Sequence, residues 1–301
     1  MKAFITGGTG FVGNNLARKL ISQGNQVGLL VREKSKTWRV SDLYKKIDFL
    51  RGDLTNQRDL KKLVQEYNPD FIYHFGTYGT FPASQQNTDT MSSVNVEGTS
   101  NLIDAAKKIP IINIGSSSEY GIKNKAMIES DICQPGKGYG KTKLLQTLHC
   151  EEKGIPTLRI FSAYGPWDEP VRLIPHLIKA KLNGEELHLR KIVRDYIYVE
   201  DILEAVLKAT EQYDKIKGEI LNIGSGQQYS IENILNKLNK INPRKLEINW
   251  DFNPVRIEPK IWVADITKAK KALEWEPKMS FEEGLKRTYE WFEGYLGEKL
   301  W

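Results

Sequence analysis

Met1-Lys2-Ala3-Phe4-Ile5-Thr6-Gly7-Gly8-Thr9-Gly10-Phe11-Val12-Gly13 opens the chain, and its reading decides the fold. Lys2 to Thr6 is a short apolar run that can serve as a buried parallel strand. Gly7, Gly10 and Gly13 follow at G-x-x-G-x-x-G spacing, and Phe11, Leu16, Leu20 and Ile21 then recur at helical intervals. A glycine turn from strand into helix lets bare backbone N–H groups approach a pyrophosphate at the helix N-terminus. Glycines alone would mark only a turn. The strand before them and the helix after them make this a dinucleotide-binding turn. Gly7, Thr9, Gly10, Phe11, Val12 and Gly13 are therefore the first candidate cofactor contacts.

The same alternation continues outward. A second strand, Gln26 to Val31, ends on Arg32, where a guanidinium suits a ribose 2′-phosphate and an acid would grip a 2′-hydroxyl. Glu33 follows directly, so the expectation is NADP in preference to NAD rather than NADP alone. A third strand, Ile47 to Leu50, runs into Gly52-Asp53-Leu54, placing Asp53 and Leu54 beside an adenine. A fourth, Phe71 to His74, runs into Phe75-Gly76-Thr77, where a cofactor can lie against backbone. His74, at the end of a buried strand, reads as a structural imidazole. Met91 to Lys108 reads as a helix and Pro110 to Ile114 as a fifth strand. The expected class is α/β, a Rossmann-like doubly wound parallel sheet with a smaller C-terminal α/β domain. Residues 1–165 form the dinucleotide-binding part and 166–301 mainly the substrate-binding part. Within 192–224 the chain is expected to return to the first sheet, through Arg194 to Tyr198 and Glu219 to Asn222.

Composition bounds the partners. A chain of 301 residues, 40% hydrophobic, can bury a full core. Its net charge of +6 comes from 44 basic residues scattered among 38 acidic ones, without a long basic run. That pattern is a solvated surface with a bias towards anionic substrates, and no nucleic-acid recognition module accompanies it. No apolar run approaches the ~20 residues of a membrane span, and no signal segment precedes the first strand, so a cytoplasmic protein without membrane contact is expected. Cys133 and Cys150 lack metal-ligand spacing; reduced thiols and no metal site are expected.

The chemistry-bearing residues come after the fifth strand. Gly115-Ser116-Ser117-Ser118-Glu119-Tyr120-Gly121 lies where open α/β sheets bind ligands, beyond a strand's carboxyl end. Tyr139 and Lys143 then sit four apart on one helical face. An ammonium about 4 Å from a phenolate is worth roughly 4 kcal/mol at an effective dielectric near 20. That would bring a tyrosine from ~10 towards ~7 before desolvation takes some back, making it a general base near neutral pH.

With Thr6 to Gly13, the serine loop and Tyr139-x-x-x-Lys143 in place, the chain resembles the extended short-chain dehydrogenase/reductases of the nucleotide-sugar epimerase/dehydratase type. The likeness continues in Gly52-Asp53-Leu54, Asn95-Val96-Glu97-Gly98-Thr99, Tyr164-Gly165-Pro166, Arg194 to Asp201, Asn222 to Gly226, Asp265-x-x-Lys268 and Trp275-x-Pro277. The resemblance implies hydride transfer between a sugar C4 and a nicotinamide, with a nucleoside-diphosphate sugar as partner and a homodimer as the assembly. By the same likeness Ser117 hydrogen-bonds the C4 oxygen, Tyr139 exchanges its proton, and Lys143 holds the nicotinamide ribose. The loop is one residue shorter than usual before its Tyr-Gly, which leaves Ser116 and Ser118 as alternative donors. Glu119 is then a candidate acid–base for 4,6-dehydration, the alternative to 4-epimerisation or 4-keto reduction. Ser118, Ser162, Arg194 and Arg256 are the candidate substrate contacts; Ser162 stands where many members carry asparagine. A non-catalytic dinucleotide sensor is the rival from another class, and it would have no use for a proton relay.

Overall fold

The structure is a computed structural model describing residues 1–80, 87–251 and 258–296. Strand β1 (Lys2–Thr6) lies inside a seven-stranded sheet and pairs in parallel with β2 (Gln26–Val31) on one side. On its other side runs β4 (Phe71–His74). With β3 (Asp48–Arg51), β5 (Ile111–Ser116), β7 (Thr157–Ile160) and β11 (Ile220–Ile223), the order is β11-β7-β5-β4-β1-β2-β3. All its pairings are parallel. The chain reverses its direction of travel across the sheet between β1 and β4, which opens a crevice beyond their carboxyl ends. Successive β1 side chains alternate between two cores, as a strand's pleat requires. Ala3 and Ile5 pack with helices α1 (Phe11–Ser22) and α7 (Val199–Glu211), while Phe4 packs with α2 (Gln57–Tyr67) and α4 (Gly98–Ala106).

Helix α5 (Tyr139–Glu152) carries the tyrosine and lysine across the second face. The expected Met91–Lys108 helix begins earlier, as α3 (Thr88–Ser92), passes through a π-helical turn at Ser93–Glu97 and continues as α4. The turn is held by Asn95, fully buried, which accepts from the Tyr78 backbone N–H and the Thr77 hydroxyl. Its amide donates to the Tyr78 carbonyl and the Thr142 hydroxyl. π turns cluster at functional sites, and this one braces the wall beside Tyr139.

A second core lies over α6 (Leu173–Asn183), α8 (Ile231–Ile241) and α10 (Phe281–Leu296). Around these helices lie three small sheets. The two-stranded pairs are β6 (Ala126–Met127) with β14 (Val263–Ala264), and β9 (Leu187–Leu189) with β13 (Ile248–Trp250). Here one expectation is corrected. Arg194 to Tyr198 does not rejoin the main sheet; as β10 (Val193–Tyr198) it pairs with β8 (Ser162–Tyr164) and β12 (Gln228–Ser230). The reason is Asp195, whose buried carboxylate accepts from the Ser225 N–H and hydroxyl and the Gly226 and Ala264 N–H groups. Those bonds tie β10 to the loop after β11 and to β14. Glu219 to Asn222 does return, as β11 on the edge of the main sheet. Helix α9 (Thr267–Leu273) adds Ala269 and Leu273 to the α1/α7 core.

Candidate active site

The glycine turn follows β1 into α1 with little room to spare. Gly7 has φ +67°, and a β carbon there would lie 2.6 Å from the Phe75 carbonyl. A β carbon at Gly13 would lie 2.5 Å from the Gly7 oxygen. Glycine therefore brings the α1 N-terminus and the Phe75-Gly76 backbone together at the crevice. Gly10, the residue before α1, supplies no side-chain cap, so the first-turn N–H groups are left for an anion. A cavity of about 540 Å³ begins at this turn. Gly7, Thr9, Gly10, Phe11, Val12 and Gly13 line it, as do Arg32, Asp53, Leu54, Phe75, Gly76 and Thr77. These residues fit a nicotinamide dinucleotide: bare N–H groups for phosphate, small residues for close approach, and an arginine at the β2 end.

Arg32 and Ser35 line that β2 end together, the Ser35 hydroxyl accepting from the Arg32 N–H at 2.9 Å. NADPH is expected to bind more tightly than NADH, and Arg32→Ala to remove the difference by weakening the phosphorylated form. A lost charge-assisted hydrogen bond of about 1.5–3 kcal/mol corresponds to roughly 10- to 100-fold. Fluorescence titration of both cofactors checks this; tighter NADH binding by the wild type would contradict it.

At the other end Tyr139 starts α5, directly after Gly138 at φ +85°. The Ser116 and Thr77 hydroxyls lie beside its phenol and pull its ionisation down. Ser116, Ser117 and Ser118 all line the cavity, but the loop's turn gives them different work. Ser116 caps a 3₁₀ turn at Ser117–Glu119 and meets Tyr139. Ser117, the donor expected by resemblance, instead accepts from the Trp262 indole N–H at 3.3 Å. The short spacing to Tyr120 shifts the register, so Ser116 holds the place beside the phenol.

The expected tyrosine–lysine coupling is also corrected. Burial pushes the Tyr139 phenol up to about 12, against the pull of the Ser116 and Thr77 hydroxyls. The Lys143 ammonium turns beneath β5, donating to the Ile114 carbonyl at 2.5 Å and the Gln146 amide oxygen at 2.6 Å. It is buried and does not line the cavity; desolvation lowers it to about 8, with Glu119 opposing. Without ligand, Tyr139 is expected to stay protonated. A difference titration of tyrosinate absorbance between wild type and Tyr139→Phe should show no ionisation up to pH about 9, one unit below an unperturbed phenol. A phenol titrating near pH ~7 would contradict that expectation.

Glu119 is likewise not at the reacting face. Its carboxylate accepts from the Ser116 N–H at 2.7 Å and from Arg159 Nε at 2.7 Å, in a fully buried ion pair. Burial pushes its carboxyl up while Arg159 and Lys143 pull it down. The 3₁₀ turn draws the side chain back under the loop, against Arg159, and it does not line the cavity. Ser162 lines the cavity as expected. Arg194 does not: it donates to the Val193 carbonyl, pairs with Glu258 at 3.3 Å and lies over the Trp262 ring at 4.8 Å. Arg256 lies outside the described residues. His74 is buried and bonded on both ring nitrogens, to Thr6 at 2.7 Å and Thr99 at 2.8 Å. Among the described residues no acidic, histidine or cysteine cluster is placed to hold a metal, and no helix is long and apolar enough to cross a membrane.

Sequence reasoning missed Asn95, Trp262, Glu169 and Arg172. Asn95 was visible inside Asn95-Val96-Glu97-Gly98-Thr99. The other three sit in irregular segments without periodic signal. Glu169 and Arg172 line the cavity wall, and Glu169 is neutralised by the buried Arg39 at 2.6 Å.

Comparison with known proteins agrees with this geometry. A profile described as GDP-mannose 4,6 dehydratase matches residues 4–288. The low-salt glycan biosynthesis protein Agl12 of Haloferax volcanii is 30% identical, with 99% of each chain covered. The UDP-glucuronate 4-epimerase of Thermodesulfobacterium geofontis is 29% identical over 95% of this chain and 94% of its own. The crystal structure of UDP-glucuronic acid 4-epimerase from Bacillus cereus, in complex with UDP-glucuronic acid and NAD, superposes with a TM-score of 0.88. It is 30% identical and covers 98% of this chain and 100% of its own. The chain belongs to the GDP-mannose 4,6 dehydratase family, within the NAD(P)-dependent extended short-chain dehydrogenase/reductases of the nucleotide-sugar epimerase/dehydratase type.

Proposed function

We propose that this enzyme works at C4 of a nucleoside-diphosphate sugar, as a 4-epimerase or a 4-ketoreductase. The observation that carries the reading is Tyr139, which lines the cavity that starts at the glycine turn together with the Ser116 and Thr77 hydroxyls that act on its phenol. The relatives that are UDP-sugar 4-epimerases support it. A bound nicotinamide dinucleotide would supply the hydride acceptor and donor. Tyr139 holds or passes the proton at the C4 oxygen, and the Ser116 hydroxyl orients the phenol. Lys143 braces the end of β5 from below through the Ile114 carbonyl. Ser117, Ser118 and Ser162 are proposed as substrate contacts, with Arg194 set behind Trp262. Dehydration at C5 and C6 is disfavoured because the Glu119 carboxylate is committed to Arg159 and the Ser116 N–H.

The test is incubation with UDP-, dTDP-, GDP- and CDP-sugars and their 4-keto derivatives, following cofactor absorbance and product identity. Cofactor-neutral inversion at C4 establishes epimerisation, and stoichiometric NAD(P)H consumption on a 4-keto sugar establishes reduction. A 4-keto-6-deoxy product from an ordinary nucleotide hexose would overturn the preference.

A homodimer is proposed through α4 and α5. Leu102 and Ala105 face the sheet instead, but Leu145 and Leu148 stand exposed on α5, at 43% and 47%. Sedimentation should give a dimer, with Leu145→Asp/Leu148→Asp shifting it towards the 34.5 kDa monomer. A wild type that sediments as monomer would contradict this assembly.

A further inference from the structure

The segment between β8 and α6 walls the cavity with Glu169 and Arg172, and its shape is imposed from the other half of the chain. Trp167 within it sits at φ +70°, a left-handed backbone that a tryptophan keeps only where its surroundings over-determine it. Such outliers gather at functional sites. Arg39 lies buried in the 3₁₀ helix Trp38–Leu43, between β2 and β3. Its Nε donates to the Trp167 carbonyl at 2.7 Å, and its Nη2 pairs with the Glu169 carboxylate at 2.6 Å. The guanidinium lies 4.2 Å over the Trp38 ring. Arg18 on α1 donates to the Arg39 carbonyl at 2.6 Å and covers the Trp167 ring at 4.2 Å. A guanidinium is a rigid fork, so fixing Nε on the Trp167 carbonyl delivers Nη2 to Glu169 without further ordering. Arg39 itself does not line the cavity.

The pairing decides the charge of that wall. The charged side chains lining the cavity are Arg32, Asp53, Glu169 and Arg172. Asp53 is turned into its own loop, accepting from the Thr55 N–H and hydroxyl, both at 2.9 Å. Glu169 keeps about a third of its side chain exposed, and without Arg39 it would present a bare carboxylate to an incoming anion. The glycine turn and the β2 end take the dinucleotide, so the wall running from β8 to α6 faces the second ligand. We propose that Arg39 is a positioning residue for the nucleoside-diphosphate sugar, acting through Glu169 by cancelling a charge that would repel the diphosphate. The inference rests on that substrate class, and like-charge juxtaposition is the effect it invokes.

The experiment titrates UDP-glucose, dTDP-glucose, CDP-glucose and GDP-mannose into wild type, Arg39→Met, Glu169→Gln and the double variant by calorimetry. Each protein is first saturated with whichever of NADH and NADPH it binds more tightly, and that affinity is recorded. For the nucleotide sugar the wild type holds best, Arg39→Met should weaken binding on the order of 10-fold, with dinucleotide affinity little changed. In the Glu169→Gln background the same arginine change should cost little, because no carboxylate is left to cancel. An arginine that merely holds the fold would cost the same in both backgrounds, and that result overturns the inference. So does an Arg39→Met protein that binds the nucleotide sugar normally, or whose loss lies equally in the dinucleotide. Should Arg39→Met fail to fold, Arg39→Gln in the same two backgrounds decides. A wild type that binds none of the four nucleotide sugars overturns the substrate reading, and the inference with it.

Discussion

Tyr139→Phe is expected to lower kcat about 10²–10⁴-fold, the usual weight of a positioned general acid–base. Dinucleotide binding and fold should persist, because the ring keeps its place at the head of α5 and only the hydroxyl goes. Ser116 and Thr77 converge on that hydroxyl, and burial keeps it protonated, so the resting group is a proton donor. The argument predicts a defect in kcat with little change in cofactor affinity, a pattern that loss of folding would not give. Steady-state kinetics with fluorescence titration of the cofactor checks it. Wild-type turnover by Tyr139→Phe would remove the proposed proton relay.

Glu119→Ala is expected to destabilise the chain by about 3–5 kcal/mol, because it leaves Arg159 buried without its counter-charge. Both partners are essentially inaccessible to water, and the Arg159 guanidinium otherwise lies over the Tyr120 ring at 4.7 Å. Burial is the largest single influence and opposes the charge on Arg159, but Glu119 together with Tyr120 and Cys133 more than offsets it and holds the guanidinium protonated. Replacing both partners, as Glu119→Met/Arg159→Met, should recover most of the loss, since a buried pair is often no better than packed apolar side chains. Urea unfolding of the single and double variants measures the difference. The single variant should also lose activity, because the Ser116 N–H loses its acceptor and the serine loop loses its anchor. A Glu119→Ala protein within about 1 kcal/mol of wild type would mean that the pair does not hold the loop.

The glycine turn was legible because its signal is local: strand, spacing and helix all fall within one short stretch, and each glycine answers a backbone contact. The parallel sheet followed from alternation. What escaped the sequence was set by contacts between distant segments. β10 went to the small sheet because Asp195 collects donors from Ser225, Gly226 and Ala264, thirty and more residues away. Tyr139 and Lys143 do share a helix, but desolvation and the Ile114 carbonyl, not their spacing, decide where the ammonium points. Glu119 looked reactive in a hydroxyl-rich loop until Arg159, on β7, claimed it. Arg172 gave no signal at all, since a loop arginine becomes a site residue only when the fold turns it inward.

The central claim is hydride transfer at C4 with Tyr139 handling the proton. Its most direct test is a single turnover of a nucleotide sugar carrying deuterium at C4, followed by nicotinamide absorbance and by locating the label in the product. The account predicts slowed cofactor reduction with the labelled sugar, deuterium kept at C4 or on the nicotinamide, and both signals suppressed in Tyr139→Phe. Deuterium lost to water, or a reaction whose rate ignores the label and whose product is altered only elsewhere on the sugar, would contradict it.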